Sequence, residues 1–139
     1  PTELLEITTD NVHLDEQYMI GGMKTEAGTD RVIPIADKIL PLVKNRYNAN
    51  RRFLVNNKYG NHYTYGSYVS ANFNTVMNKL NMKHLPHDGR HTFASLMDDA
   101  GANEVCIKLI MGHSMKNNVT KGVYTHKTTQ QLIDEVNKI

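Results

Sequence analysis

Five residues in this chain carry side chains that could act together on a phosphate: Lys24, His87, Arg90, His113 and Tyr124. His87 and Arg90 are three positions apart, which on a helix turn puts both on one face. There an imidazole and a guanidinium could hold two oxygens of a single phosphate. His113 follows Gly112, and Tyr124 stands eleven positions further on. Each feature alone has an ordinary explanation. His-x-x-Arg recurs by chance, Gly112-His113 is a common way to end a helix, and Tyr124 would fit a core position equally well.

The elements that must position these residues follow from hydrophobic patterning. Glu3 to Ile7 has apolar groups at helical spacing before Thr8-Thr9-Asp10-Asn11, and reads as the tail of a helix that begins before Pro1. Val12 to Leu14, Tyr18 to Ile20 and Arg31 to Ile35 are short β-prone stretches separated by turn-forming residues. They predict an antiparallel sheet with Lys24 at the end of its middle strand. A helix is predicted from Asp37 to about Tyr47, with Ile39, Leu40, Leu42 and Val43 buried. Phe53-Leu54-Val55 reads as extended, and Tyr68 to Leu80 as a helix with Val69, Phe73, Val76, Met77 and Leu80 inward. A helix from His87 to Ala100 carries Phe93, Leu96 and Met97, with Gly101 as its stop. Asn103 to Met111 predicts a short helix with Cys106 and Ile110 on its core stripe. Two last helical pieces are expected at Thr120 to Tyr124 and Thr129 to Lys138. The second has Leu132, Ile133 and Val136 at helical spacing and is too apolar for a free tail. The fold class is α+β: a mainly helical domain with a small three-stranded antiparallel sheet near the N-terminus.

A chain of 139 residues fits one domain, burying roughly two-thirds of its unfolded surface without disulfide staples. Cys106 has no second cysteine to pair with, which favours a reducing, intracellular home. No apolar run approaches the roughly 18 residues of a membrane helix, and no signal-like segment opens the chain. The first residues, Pro1-Thr2-Glu3, lack an initiator methionine, so a fragment or processed product is expected. Net charge is only +2, but it is unevenly spread. Residues 1–35 hold seven acids against Lys24 and Arg31, whereas residues 36–60 hold six basic residues against Asp37 alone. That basic middle is either an ordinary solvated face or a surface for nucleic-acid phosphates, with Arg51, Arg52 and Lys58 as the candidates.

Order and context join these observations. Leu85-Pro86-His87-Asp88 with Arg90-His91-Thr92-Phe93-Ala94, then Met111-Gly112-His113-Ser114, then Tyr124-Thr125-His126, resembles the tyrosine recombinases of the phage integrase family block for block. Upstream, Met23-Lys24-Thr25 and Arg31-Val32-Ile33-Pro34-Ile35 look like that family's β-hairpin, so the resemblance covers nearly the whole chain. It implies residues 1–139 as most of a catalytic domain, lacking its N-terminal part and any arm domain that clamps DNA. Three departures stand out. Another catalytic arginine of the family would stand just before Pro1. Gly89 occupies a place where a larger apolar residue is usual, and glycine inside a helix costs about 1 kcal/mol relative to alanine. The interval from His113 to Tyr124 is about two residues longer than in better-known members.

The resemblance implies site-specific DNA recombination, as in integration or excision of a phage or mobile element, through a 3′-phosphotyrosine intermediate. Tyr124 would be the nucleophile, Arg90 and His113 would bind the phosphate, Lys24 would be the acid for the 5′ oxygen, and His87 the base or proton shuttle. It also implies double-stranded DNA and further protomers, as a tetramer on DNA joined through the C-terminal segment, as partners. That segment is expected to pack on a neighbouring protomer or fold back on its own chain. No cofactor and no metal is expected. His87 and His91 have the spacing of a helical zinc pair with His84 close by, but no glutamate lies between them and Arg90 would oppose a metal. His91 is expected to make a buried hydrogen bond, and His84 and His126 to face solvent or DNA. A cytoplasmic, nucleoid-associated location follows. The rival readings are a type IB topoisomerase, which relaxes DNA with similar chemistry, and a non-catalytic DNA-binding module of the same fold. Residues 1–139 alone are expected to cleave weakly or not at all.

Overall fold

The computed structural model describes residues 1–23, 28–113 and 127–139. Lys24, Tyr124, His126 and the helical piece expected at 120–124 lie outside the described residues. A short helix α1 (Thr2–Glu6) leads through a 3₁₀ turn at Thr9–Asn11 into the sheet. Strands β1 (Val12–His13), β2 (Tyr18–Gly21) and β3 (Arg31–Pro34) form an antiparallel sheet in the order β1-β2-β3. Val12 pairs with Met19 and Gly21 with Arg31, so the start of β3 lies beside the end of β2.

Successive strand residues point to opposite faces, and β3 uses both. Ile33 packs on a core of Ile7, Val12, Met19, Ile35 and Leu54. Val32 packs on a second core of Ala36, Met97, Cys106, Ile110, Leu132 and Val136. β3 is therefore the seam between the N-terminal segment and the helices that follow.

Helix α2 runs Leu40–Arg46 and does not begin near Asp37 as expected. Pro41 is the reason, because a proline lacks the N–H that a helix interior needs but fits the first turn. Leu40 and Val43 pack on the first core, whereas Ile39 and Leu42, also expected inside, are exposed at 43% and 65%. Phe53 bridges Thr8, and Leu54 is buried. The next helical stretch begins earlier than expected, as α3 (Tyr65–Tyr68), a π-helical segment (Val69–Phe73) and α4 (Asn74–Lys79). Thr64 caps it by accepting from the Ser67 N–H at 3.2 Å. Val69, Phe73 and Met77 form a half-buried stripe, while Val76 and Leu80, expected inward, are exposed.

Helix α5 (Asp88–Asp99) sends Met97 into the second core with Phe93 beside it. Leu96 is exposed, contrary to expectation. Gly101 ends the helix region at φ +65, where an L side chain would be strained. Helix α6 (Glu104–Met111) is capped by Asn103, whose side chain accepts from the Val105 and Cys106 amides. Cys106 and Ile110 are core residues as the stripe required.

Helix α7 (Thr129–Val136) opens with a capping box between Thr128 and Gln131. In this single chain α7 packs back on its own core. Leu132, Ile133 and Val136 are buried on their own chain, Glu135 accepts from the Asn103 amide at 2.7 Å, and Asn137 accepts from the Asp37 amide at 2.8 Å. No helix among the described residues is long and apolar enough to cross a membrane.

Candidate active site

An open cleft of about 830 Å³ is lined by His87, Arg90 and His113, together with Glu3, Arg31 and Tyr65. His87 is the residue at which α5 begins, and its carbonyl accepts from the Arg90 amide at 3.0 Å. This hydrogen-bonded first turn brings the two side chains to the same wall. The turn is itself held by Asp88, whose carboxylate accepts from the Leu85 amide at 2.9 Å and lies 3.4 Å from His84 Nδ1. The amide bond is the main cause that holds the Asp88 carboxyl below the ordinary carboxylate range, with His84 adding to it. His91, expected in a buried hydrogen bond, is instead exposed, its ring edge-on to His87 at 5.2 Å. Exposed His84 agrees with the expectation.

His113 is brought to the opposite wall by the end of α6. Gly112 adopts φ +66, its amide donates to Leu109 O at 3.1 Å, and the His113 amide donates to Lys108 O at 2.9 Å. This is the left-handed stop that glycine permits, and it turns the next side chain away from the helix axis. Arg90 reaches across: its Nη2 donates to Met111 O at 2.6 Å. Among the described residues its other guanidinium donors have no partner, which leaves them available to an anion in the cleft. Partial loss of water at the cleft wall holds the His113 pKa below the ordinary histidine value, helped by the positive charges of Arg90, Lys108 and Arg31.

Arg31 and Glu3 were not legible as site residues. Arg31 reads locally as a strand residue and Glu3 as part of a helix tail, yet they pair at 2.5 Å. Tyr65, also unanticipated, sits in the first turn of α3 and presents a phenol to the same cleft. Gly89 lines the cleft as well, and a Cβ there would meet no atom within 4 Å, so close packing does not require the glycine.

The basic candidates Arg51, Arg52 and Lys58 are not among the residues that line the cleft. Arg51 and Arg52 belong to a loop fixed to the segment after α1, where Thr9 Oγ1 donates to Arg51 O at 2.6 Å and Thr9 N to Arg52 O at 3.0 Å. The Arg52 guanidinium lies 5.3 Å from the Phe53 ring and the Lys58 ammonium 4.9 Å from the Tyr59 ring. These contacts hold the charged heads at an exposed surface. The structure thus brings His87, Arg90 and His113 to one cleft that Arg51, Arg52 and Lys58 do not line, and leaves Lys24 and Tyr124 outside its described residues. No group of three or more potential metal ligands occurs among the described residues.

Comparison with known proteins bears on the fold and the family. A tyrosine recombinase of Thermosipho africanus is 26% identical over 112 residues, covering 79% of this chain and 39% of that protein. One from Pseudothermotoga lettingae is 28% identical over 119 residues, with the same coverages of 79% and 39%. The tyrosine recombinase XerC of Staphylococcus saprophyticus is 30% identical over 134 residues, covering 87% of this chain and 45% of that protein. The chain thus spans less than half the length of these curated relatives. An integrase from mycobacterium phage Brujita has the same fold, with a TM-score of 0.72 at 18% identity over 98% of this chain and 45% of its own. The sequence model of the phage integrase family matches residues 1–131, and the chain belongs to that family.

Proposed function

We propose that this chain is the catalytic part of a site-specific DNA recombinase that breaks and rejoins DNA through a 3′-phosphotyrosine bond to Tyr124. The observation that supports this reading is the convergence of His87, Arg90 and His113 on one cleft, in a chain of the phage integrase family. The names of the relatives, recombinases and an integrase, point to the same class of reaction.

Arg90 binds two non-bridging oxygens of the scissile phosphate with its free donors, and His113 adds a hydrogen bond to the same group. Tyr124 attacks phosphorus as its proton passes to His87. An O–P bond to the tyrosine forms, the bond to the 5′ oxygen breaks, and Lys24 supplies that oxygen's proton. A phenolate, with an ordinary pKa near 10, is a fair leaving group for the return step, in which a 5′-hydroxyl displaces it. If that hydroxyl belongs to another duplex, strands are exchanged. The phosphotyrosine conserves the bond energy, so the cycle uses neither ATP nor a cofactor. Arg51, Arg52 and Lys58 contact the backbone of double-stranded DNA away from the reacting phosphate. Their removal weakens binding at all sequences and lowers the salt dependence by about one ion per lost contact. Further protomers assemble on the DNA, and the protein works in the cytoplasm on the nucleoid.

The test is covalent trapping on a nicked suicide DNA substrate, with the intact protein and its Tyr124→Phe variant run on a denaturing gel. A band shifted by the mass of the DNA and absent from the variant is expected. No band with a cognate site supplied refutes the catalytic reading and leaves DNA binding alone.

A further inference from the structure

The two arginines of the cleft are engaged in opposite ways. Arg90 spends one donor on the protein, whereas the Arg31 guanidinium is used in three directions. Its Nε donates to Ile110 O at 2.8 Å, its Nη1 to Gly28 O at 3.0 Å, and its Nη2 pairs with Glu3 Oε1 at 2.5 Å. Its side chain is only 13% exposed. With its charge answered by Glu3 and its donors turned to three segments, Arg31 is poorly placed to hold an anion.

Its contacts do complete something else. A helix ends with four carbonyls that have no partner inside the helix. At the end of α6 all four are answered: Lys108 O by the His113 amide, Leu109 O by the Gly112 amide, Ile110 O by Arg31 and Met111 O by Arg90. We propose that Arg31 is the positioning residue for His113, clamping the end of α6 against α1 and the base of the β2–β3 loop so that the turn through Gly112 delivers the imidazole to the cleft. The packing around that turn supports the clamp. A Cβ on Gly112 would lie 2.9 Å from Gly28 Cα and 3.2 Å from Arg31 Cδ, and one on Gly22 would overlap Gly28 O. Gly22, Gly28 and Gly112 thus meet at one junction, with Arg31 bonded through it. Two positive charges at the C-terminal end of α6 also complement its dipole.

The catalytic consequence rests on the function proposed above, but the geometry of the turn does not. Arg31→Lys is the informative variant in the intact protein, because it keeps the charge while a single ammonium cannot reach three diverging acceptors. Arg31→Met and Glu3→Gln serve as companions. Hydrogen exchange of the Gly112 and His113 amides is expected to quicken about tenfold in Arg31→Lys, the effect of one lost bond, with the α7 amides unchanged. DNA affinity is expected to stay within about threefold while single-turnover cleavage falls about 100-fold, the cost of misplacing a reacting group by about 1 Å. Glu3→Gln is expected to shift both readouts in the same direction by less. Unchanged exchange at Gly112 and His113 overturns the proposal, as does faster exchange spread evenly over α5, α6 and α7, which would mark a general stability effect. If the unsubstituted protein does not cleave, the proposed function fails, and the exchange pattern still decides the clamp.

Discussion

Replacing Gly112 by alanine separates two costs that the fold combines at one position. The first is conformational: at φ +66 a side chain with a Cβ is strained by about 1–2 kcal/mol. The second is contact, because the added methyl would lie 2.9 Å from the Gly28 backbone and force a shift costing a further 1–3 kcal/mol or so. Gly101 supplies the control, with φ +65 and no atom within 4 Å of an added Cβ. Gly101→Ala should therefore lose about 1–2 kcal/mol and Gly112→Ala about 2–5 kcal/mol. Gly89→Ala, with ordinary φ and open space around it, should be neutral or gain up to about 1 kcal/mol. Urea unfolding of the three variants measures this. At a slope of about 2 kcal/mol per molar, the Gly112 and Gly101 midpoints should differ by about 0.5–1.5 M. Equal midpoints would refute the claim that the turn into His113 is packed against the base of the hairpin loop.

The other expected outcomes concern His113 and α7. Because the folded His113 pKa is depressed, the unfolded chain binds more protons there between the depressed value and the ordinary histidine value. Stability is then complete above the ordinary value and is lost as pH falls through that window. Imidazole NMR should find His113 titrating lower than histidines in unfolded peptides, and His113→Gln should flatten that part of the pH–stability curve. Leu132→Ala should destabilise the chain by about 2–5 kcal/mol and speed exchange in α7. Unaffected exchange in α7 would contradict its docking in cis.

Much of the architecture was written in local pattern. The alternation of Val32 and Ile33 onto two faces, the stripe of Cys106 and Ile110, and the stops at Gly101 and Gly112 all depend on neighbours a few residues away. Leu42, Val76 and Leu80 are exposed, because periodicity identifies the apolar face of a helix and does not say whether another element covers it. Helix α2 starts later than its apolar spacing predicts because Pro41 fits only the first turn of a helix. In the site, residue type and spacing left His87, Arg90 and His113 with ordinary explanations, and it was the resemblance of their order and context to the tyrosine recombinases that singled them out. The pairing of Arg31 with Glu3 and with the end of α6 was not legible, since a guanidinium reaching two segments far away in sequence leaves no periodic trace. Lys24 and Tyr124 lie outside the described residues, and their roles rest on the family resemblance.

The docking of α7 bears on how the chain is made. Leu132 and Val136 close the core that contains Met97, Cys106 and Ile110, yet they leave the ribosome after every other member of it. At about 5–20 residues per second, the nascent chain passes about 1–5 seconds with α5 and α6 synthesised and their apolar sides uncovered. A stalled or prematurely terminated product would keep that surface open, making it a client for chaperones and proteases, whereas the sheet and the core around Ile35 can consolidate much earlier in translation.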